Sequence, residues 1–352
     1  MADRDQIIQE DMEYIRQRID HTKIAGSTVL ISGAAGLIGK YLVRFLAQYC
    51  GCKVLAVVRD RKKAYRLWND LGDQIEYICS DITELEEKDL ADAAIDYMIH
   101  AASSTSSRDF LAHPVRVIDI STEGTKRMLE IARKHSVKGF IYLSTMEVYG
   151  APVTDDKIGE LHGTNLDTMS VRSSYPESKR LCENMCAAYY SEFHIPIRVL
   201  RLTQTFGPGV EYDDSRVFAE FARCAIEGKD IVLHTKGDTK RSYLYLADAC
   251  TAILLTLVEG TDGEAYNAAN ESTYCSIRDM AELVAEKCAE KRICVHIRPE
   301  KERQMEQGYA PVLRMNLDTS KLQEMGWKPE TDLLMMYKRM IASMKVSVSK
   351  IK

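Results

Sequence analysis

Tyr175 and Lys179 stand four residues apart in the stretch Arg172-Ser-Ser-Tyr-Pro-Glu-Ser-Lys-Arg180. The stretch opens an amphipathic run that continues through Leu181, Met185, Ala188 and Tyr189. On a helix that spacing stacks a phenol and an ammonium on one face. A phenol ordinarily titrates near pH ~10, and a neighbouring cation favours phenolate and lowers that value. Such a tyrosine can take the proton of a hydroxyl while a hydride leaves the same carbon. The other reading is an ordinary helix start, with Pro176 in the first turn and a solvated lysine. The pair alone does not choose between them, so the choice falls to the elements that would position it.

Residues 5–20 carry Ile7, Ile8, Met12, Ile15 and Ile19 at helical spacing, which predicts a helical extension over 1–25 packed against the body. Thr28–Ser32 reads as a buried strand running into Gly33-Ala-Ala-Gly36-Leu-Ile-Gly39 and a helix from Leu37 to Tyr49. Glycines between a strand and a helix make a pyrophosphate cradle, because they allow a tight turn and close backbone approach, and the helix N-terminus favours an anion. Gly33, Gly36, Leu37, Ile38 and Gly39 are its candidate residues.

The next strand, Lys53–Val58, bears on which dinucleotide would fit. An acidic residue at its end would hold ribose hydroxyls, but Val58 stands there, followed by Arg59, Asp60, Arg61, Lys62 and Lys63. Arginine suits a 2′-phosphate, so NADP is favoured over NAD on Arg59. Asp60 argues the other way, and a plain charged helix start is the alternative.

Ile75–Cys79 is a strand with Asp81 and Ile82 behind it, where an adenine contact falls. Asp96–His100 leads into Ala101-Ala102-Ser103-Ser104, a helix covers about 115–135, and Gly139–Ser144 is a fifth strand. Such alternation predicts an α/β fold with a doubly wound parallel sheet. Ligands of such sheets gather at the carboxyl ends of the strands. That puts Gly33–Gly39, Ala101–Ser103 and Ser144–Glu147 on one rim, with Tyr175 and Lys179 beside them.

Composition agrees with a globular protein: 352 residues, 45% hydrophobic and 28% charged, with a net charge of −5 that gives no hint of nucleic acid. The charged N-terminus does not read as a signal peptide, and no run reaches membrane-span length. Ten scattered cysteines and eight histidines show no metal spacing, so no metal is expected. The cysteines read as reduced thiols of a cytoplasmic protein.

The glycine triplet, Ser144-Thr-Met-Glu-Val-Tyr-Gly150, Tyr175-x-x-x-Lys179 and Arg201-Leu-Thr-Gln-Thr-Phe-Gly-Pro-Gly209 together resemble the extended short-chain dehydrogenase/reductases, over roughly residues 26–345. Within that family the chain is most similar to UDP-glucuronate decarboxylases, through Arg172–Arg180, Thr205–Pro208, Asp213–Val217 and Lys240–Tyr243. The resemblance implies a Rossmann domain over 26–205 and about 243–270. It also implies a smaller, mostly helical substrate lobe over about 206–242 and 271–345.

The resemblance further implies a nucleotide-diphosphate sugar substrate and a homodimer formed through helices at 115–135 and 175–192. By position, Thr145 would bond the substrate O4, while Lys179 would bind the nicotinamide ribose and lower the Tyr175 pKa. Glu147 would work near C5 and C6. Ala101, Ala102 and Ser103 would line the cofactor. Ser104, Met146, Arg172, Gln204, Arg216, Val217, Arg241 and Arg314 would meet the substrate, the arginines as partners for diphosphate or carboxylate. Met146 departs from the pattern: 4,6-dehydratases hold an aspartate there that protonates a leaving hydroxyl, and a thioether cannot. The implied chemistry is C4 oxidation followed by decarboxylation, with a 4-epimerase or an NADPH-dependent reductase or dehydratase as alternatives. A non-catalytic cofactor-binding regulator would not need the intact Thr145, Tyr175 and Lys179 set.

Overall fold

The computed structural model describes residues 4–90, 93–104, 107–299 and 312–349. Along the chain, α1 (Arg4–Arg18) precedes β1 (Thr28–Ser32), α2 (Leu37–Cys50), β2 (Lys53–Val58), α3 (Arg61–Trp68), β3 (Ile75–Cys79) and β4 (Tyr97–His100). There follow α4 (Ser107–Ala112), α5 (Pro114–His135), β5 (Gly139–Thr145), α6 (Ser174–Phe193), β6 (Ile197–Leu202), β7 (Gln204–Phe206), α7 (Val217–Glu227) and β8 (Ile231–Leu233). The remainder is β9 (Lys240–Tyr245), α8 (Leu246–Glu259), β10 (Ala265–Ala268), β11 (Asn270–Ser276), α9 (Ile277–Lys287), β12 (Val295–Ile297), β13 (Arg314–Met315), α10 (Ser320–Glu324) and α11 (Leu333–Ser349).

Continuous apolar runs such as Val29-Leu30-Ile31 are buried on both faces, as a parallel strand covered by helices requires. Seven such strands form one parallel sheet in the order β10-β6-β5-β4-β1-β2-β3. On one face an apolar layer containing Met128, Leu129, Cys182 and Cys186 lies under α5 and α6, which pack on each other. On the other, Phe45, Leu46, Ile253 and Leu257 belong to the layer under α2 and α8. The strand order turns back between β1 and β4, and the crevice there is where such sheets take ligands.

Outside that sheet the chain forms short strands as well as helices. β9 is the central strand of a second sheet, antiparallel to β11 and parallel to β13 and β7. Its register sets Lys240 opposite Arg314 and Tyr243 opposite Gln204, so β9 gathers three segments far apart in sequence. β8 and β12 make a separate parallel pair.

The predicted N-terminal helix is present and bolted down. Asp11, 2% exposed, accepts from Tyr41 of α2 at 2.8 Å, Tyr245 of β9 at 2.8 Å and Arg339 of α11 at 2.9 Å. Burial pushes its pKa up to about 6, against the pull of Arg339 and the two tyrosines. Nearby, Tyr14 donates to the buried Asp248, which also accepts the Glu330 and Thr331 amides.

Candidate active site

At the β1 end, Gly33 has φ +68°, and a Cβ built there would come within 2.7 Å of the Ala101 carbonyl carbon and the Ala102 nitrogen. A Cβ on Gly39 would meet the Ala34 carbonyl oxygen at 2.5 Å. Only glycine lets the β1 turn, the β4 turn and the start of α2 lie this close. Gly36 is the N-cap of α2 without a side-chain cap, and Leu37 and Ile38 open a helix with no acidic residue in its first turn. A backbone cradle at a helix N-terminus fits a dinucleotide diphosphate. Behind it, buried His100 lies 2.6 Å through Nδ1 from Ser32 Oγ, which accepts the Ala102 amide at 3.2 Å. Burial, with the Lys179 charge, lowers the His100 pKa to about 3, so this imidazole is a neutral strut under Ala101–Ser103.

At the cofactor's expected adenosine end the residues divide. Arg59 is exposed at the tip of β2, and Asp60 caps α3 by accepting the Lys63 amide at 2.9 Å. Asp81 stays at the rim. Burial would raise its pKa, but the Thr83 amide and hydroxyl, with the Arg59 and Arg116 charges, bring it below the usual range. Ile82 turns inward into the layer under α5, where Gly124 makes room for it.

The two members of the opening pair behave differently. Tyr175 is buried, and the Thr145 and Ser103 side chains near it favour its ionised form. Lys179 lies beneath, donating to the Leu143 carbonyl at 2.7 Å with its Nζ 4.6 Å from the Tyr142 ring centroid. The expectation that Lys179 would lower the tyrosine pKa is corrected here. Burial raises Tyr175 above its ordinary value, the Glu147 carboxylate adds to the rise, and Thr145, Arg172 and Ser103 pull the other way. Lys179 is spent on β5, and burial lowers its own pKa to about 8.

Thr145 ends β5 and accepts the Glu147 amide at 3.3 Å, opening a short turn over Met146–Tyr149. That turn separates neighbours in sequence. Glu147 stays half-open and accepts from Arg172 Nη2 at 2.9 Å. Met146 goes inward, packing with Val148, Tyr149 and Met315, with its sulfur 3.2 Å from the Thr203 hydroxyl.

One residue of this group had no expected role. Phe110 of α4 stacks flat on Tyr175, ring centroids 4.4 Å apart at 7°, with the Arg172 guanidinium 4.8 Å from its centroid. Its only signal in the sequence is a lone large aromatic in the polar stretch before Pro114.

Of the expected substrate contacts, Gln204 and Arg241 meet at 3.4 Å, and Arg241 Nε is buried without a hydrogen-bond partner. Ser104 bonds Asp109 at the β4 end. Arg216 is held by Asp214 and lies over Phe218, and Val217 begins α7. Arg314 pairs with Asp155. The structure thus joins Thr145, Glu147, Arg172 and Tyr175 into one group and gives Arg216 and Arg314 carboxylate partners of their own. Among the described residues, no three His, Cys, Asp or Glu side chains are placed to hold a metal, and no helix is long and apolar enough to cross a membrane.

A model of the NAD dependent epimerase/dehydratase family matches residues 29–269. The chain is 31% identical over 315 residues to UDP-glucuronic acid decarboxylase 3 of Arabidopsis thaliana, covering 87% of this chain and 85% of that protein. Among solved structures, UDP-glucose 4-epimerase of Thermotoga maritima superposes with a TM-score of 0.77 at 23% identity, covering 91% of this chain and 99% of that one. The dTDP-glucose 4,6-dehydratase of Bacillus anthracis, in complex with NAD, does so with a TM-score of 0.76 at 19% identity, covering 92% and 98%. At those identities the two superpositions speak for the fold alone.

Proposed function

The chain belongs to the NAD-dependent epimerase/dehydratase family, and from that premise we propose that it converts a nucleotide-diphosphate sugar by transient oxidation at C4, decarboxylating a UDP-glucuronate-like substrate. The observation that carries this reading is the turn after β5. It offers Glu147, paired with Arg172, beside Tyr175 and withdraws Met146 into the core. A 4,6-dehydratase needs a proton donor at the position of Met146, and a thioether is none. Decarboxylation needs none there.

A nicotinamide dinucleotide on the Gly33–Gly39 cradle supplies reversible hydride acceptance. The chain's own residues do the remaining work. Tyr175, in its phenolate form, takes the proton of the C4 hydroxyl, and the Thr145 hydroxyl fixes the same oxygen. Lys179 keeps positive charge beneath them. A C4 ketone is β to the C6 carboxylate, so the C5–C6 bond breaks, CO2 leaves and its electron pair passes to an enolate that Tyr175 and Thr145 stabilise at oxygen. Arg172 and Arg241 suit the sugar carboxylate or the diphosphate through paired N–H donors.

NADP is the favoured dinucleotide: Arg59 is exposed at the strand end, and Asp60 is occupied as a helix cap. A homodimer through α5 and α6 is part of the same reading, supported by exposed Val115, Ile118 and Leu181 on these helices. The ten free cysteines suit the cytoplasm.

The test is NMR of purified protein with UDP-glucuronate and NAD or NADP. Loss of the C6 carboxylate and appearance of a pentose nucleotide support the proposal. Six retained carbons with inversion at C4 would replace it with epimerisation.

A further inference from the structure

A catalytic tyrosine must be aimed as well as present. Tyr175 has its backbone in the first turn of α6, but what fixes the plane of its ring comes from a different crossover. Phe110, 2% exposed, covers the Tyr175 face in near-parallel contact. With Val117 the two rings form a small apolar cluster separate from both main layers. The main cores therefore do not set this ring.

The other face of Phe110 serves Arg172. That guanidinium holds Glu147 through one Nη2–Oε2 hydrogen bond, and its Nε is buried without a partner. A single hydrogen bond leaves a planar group free to swing about the donor. The ring 4.8 Å from its central carbon supplies the second restraint. Phe110 is itself tied to the α6 start, since Ser174 Oγ donates to its carbonyl oxygen at 3.4 Å.

We propose that Phe110 is a positioning residue that holds the Tyr175 ring and the Arg172–Glu147 pair in fixed register to one another. It touches neither reacting atom and acts through both partners. The proposal rests on the reading of Tyr175 as the base, and it names a determinant of the site outside every motif that marked the chain.

The experiment compares Phe110→Leu, which fills the space without a π-face, with Phe110→Tyr, which keeps the ring. Phe110→Leu is expected to retain the wild-type Tm within a few degrees, lower kcat about tenfold or more and raise KM. It also moves the Tyr175-dependent limb of the pH profile downward, because the phenol is less well covered. Phe110→Tyr is expected to restore kcat and the limb. Wild-type kcat and pH profile in Phe110→Leu would overturn the proposal, as would a Phe110→Tyr protein as impaired as Phe110→Leu.

A second readout does not depend on the substrate. In protein labelled at tyrosine Cζ, with Tyr175→Phe assigning the resonance, Tyr175 is expected to titrate at lower pH in Phe110→Leu than in the wild type, because the phenol is less well covered. If the wild type turns over no nucleotide sugar, the functional proposal fails while this titration still decides the role of Phe110. An identical titration in the two proteins sinks it.

Discussion

Two clusters in this molecule are built from the same parts, a carboxylate, an arginine and aromatic rings from different elements, and they are finished differently. At the Asp11 latch both oxygens are taken by Tyr41, Tyr245 and Arg339, and the carboxylate is sealed from solvent. At the rim Glu147 holds a single bond from Arg172 and its side chain is 29% exposed, while Arg172 Nε goes unpartnered. A saturated cluster can only hold. An unsaturated one has valences left for a substrate, and its lost stabilisation must be offset elsewhere.

The comparison is sharpest if damage at each cluster appears in different measurements. Tyr175→Phe should lower kcat by about 10²–10⁴-fold with an unchanged Tm, followed by steady-state assay and thermal unfolding. A Tm drop of many degrees would show that the rim, too, is structural. Arg339→Ala leaves a buried carboxylate facing two phenols without its cation and should cost about 3–5 kcal/mol of stability, measured by denaturant unfolding. Its kcat per folded molecule should be unchanged.

The latch also predicts a pH dependence. The folded Asp11 carboxyl binds its proton more tightly than the unfolded one, with a pKa of about 6 against 3.8. Its contribution is therefore full below about pH 4 and is lost as pH rises through about 6, a change of roughly 3 kcal/mol. Asp11→Asn should flatten that part of the stability curve, and an unchanged slope would assign it to another group. At the rim the smallest effect should appear in activity. Lys179 loses its charge through about pH 8, so kcat/KM should fall there while stability rises, because the folded state sheds this proton at lower pH than the unfolded chain does.

Much of this was legible in the sequence, for physical reasons. β1, β2 and β3 were bounded to the residue, the first two because buried parallel strands are nearly unbroken apolar runs, and the Gly33–Gly39 turn because only glycine tolerates the approach to Ala101. The strands β7, β8, β12 and β13 were not, since two or three residues carry no period. Glu147 and Met146 could be named but not parted, because only the turn at Thr145 sends one out and the other in. Phe110 and Asp11 were missed for a common reason. Each owes its role to residues from distant segments, and nothing local marks either.

The distance from Asp11 to Arg339, 328 residues, has a consequence for how the chain reaches its native state. Helix α1 precedes its seat in the chain, which needs α2, the end of β9 and finally α11. Contacts so far apart in sequence are slow to form. The face of α1 that carries Met12 and Ile15 therefore stays uncovered until α11 has been made and docked, and over that interval it is a surface for a chaperone to shield.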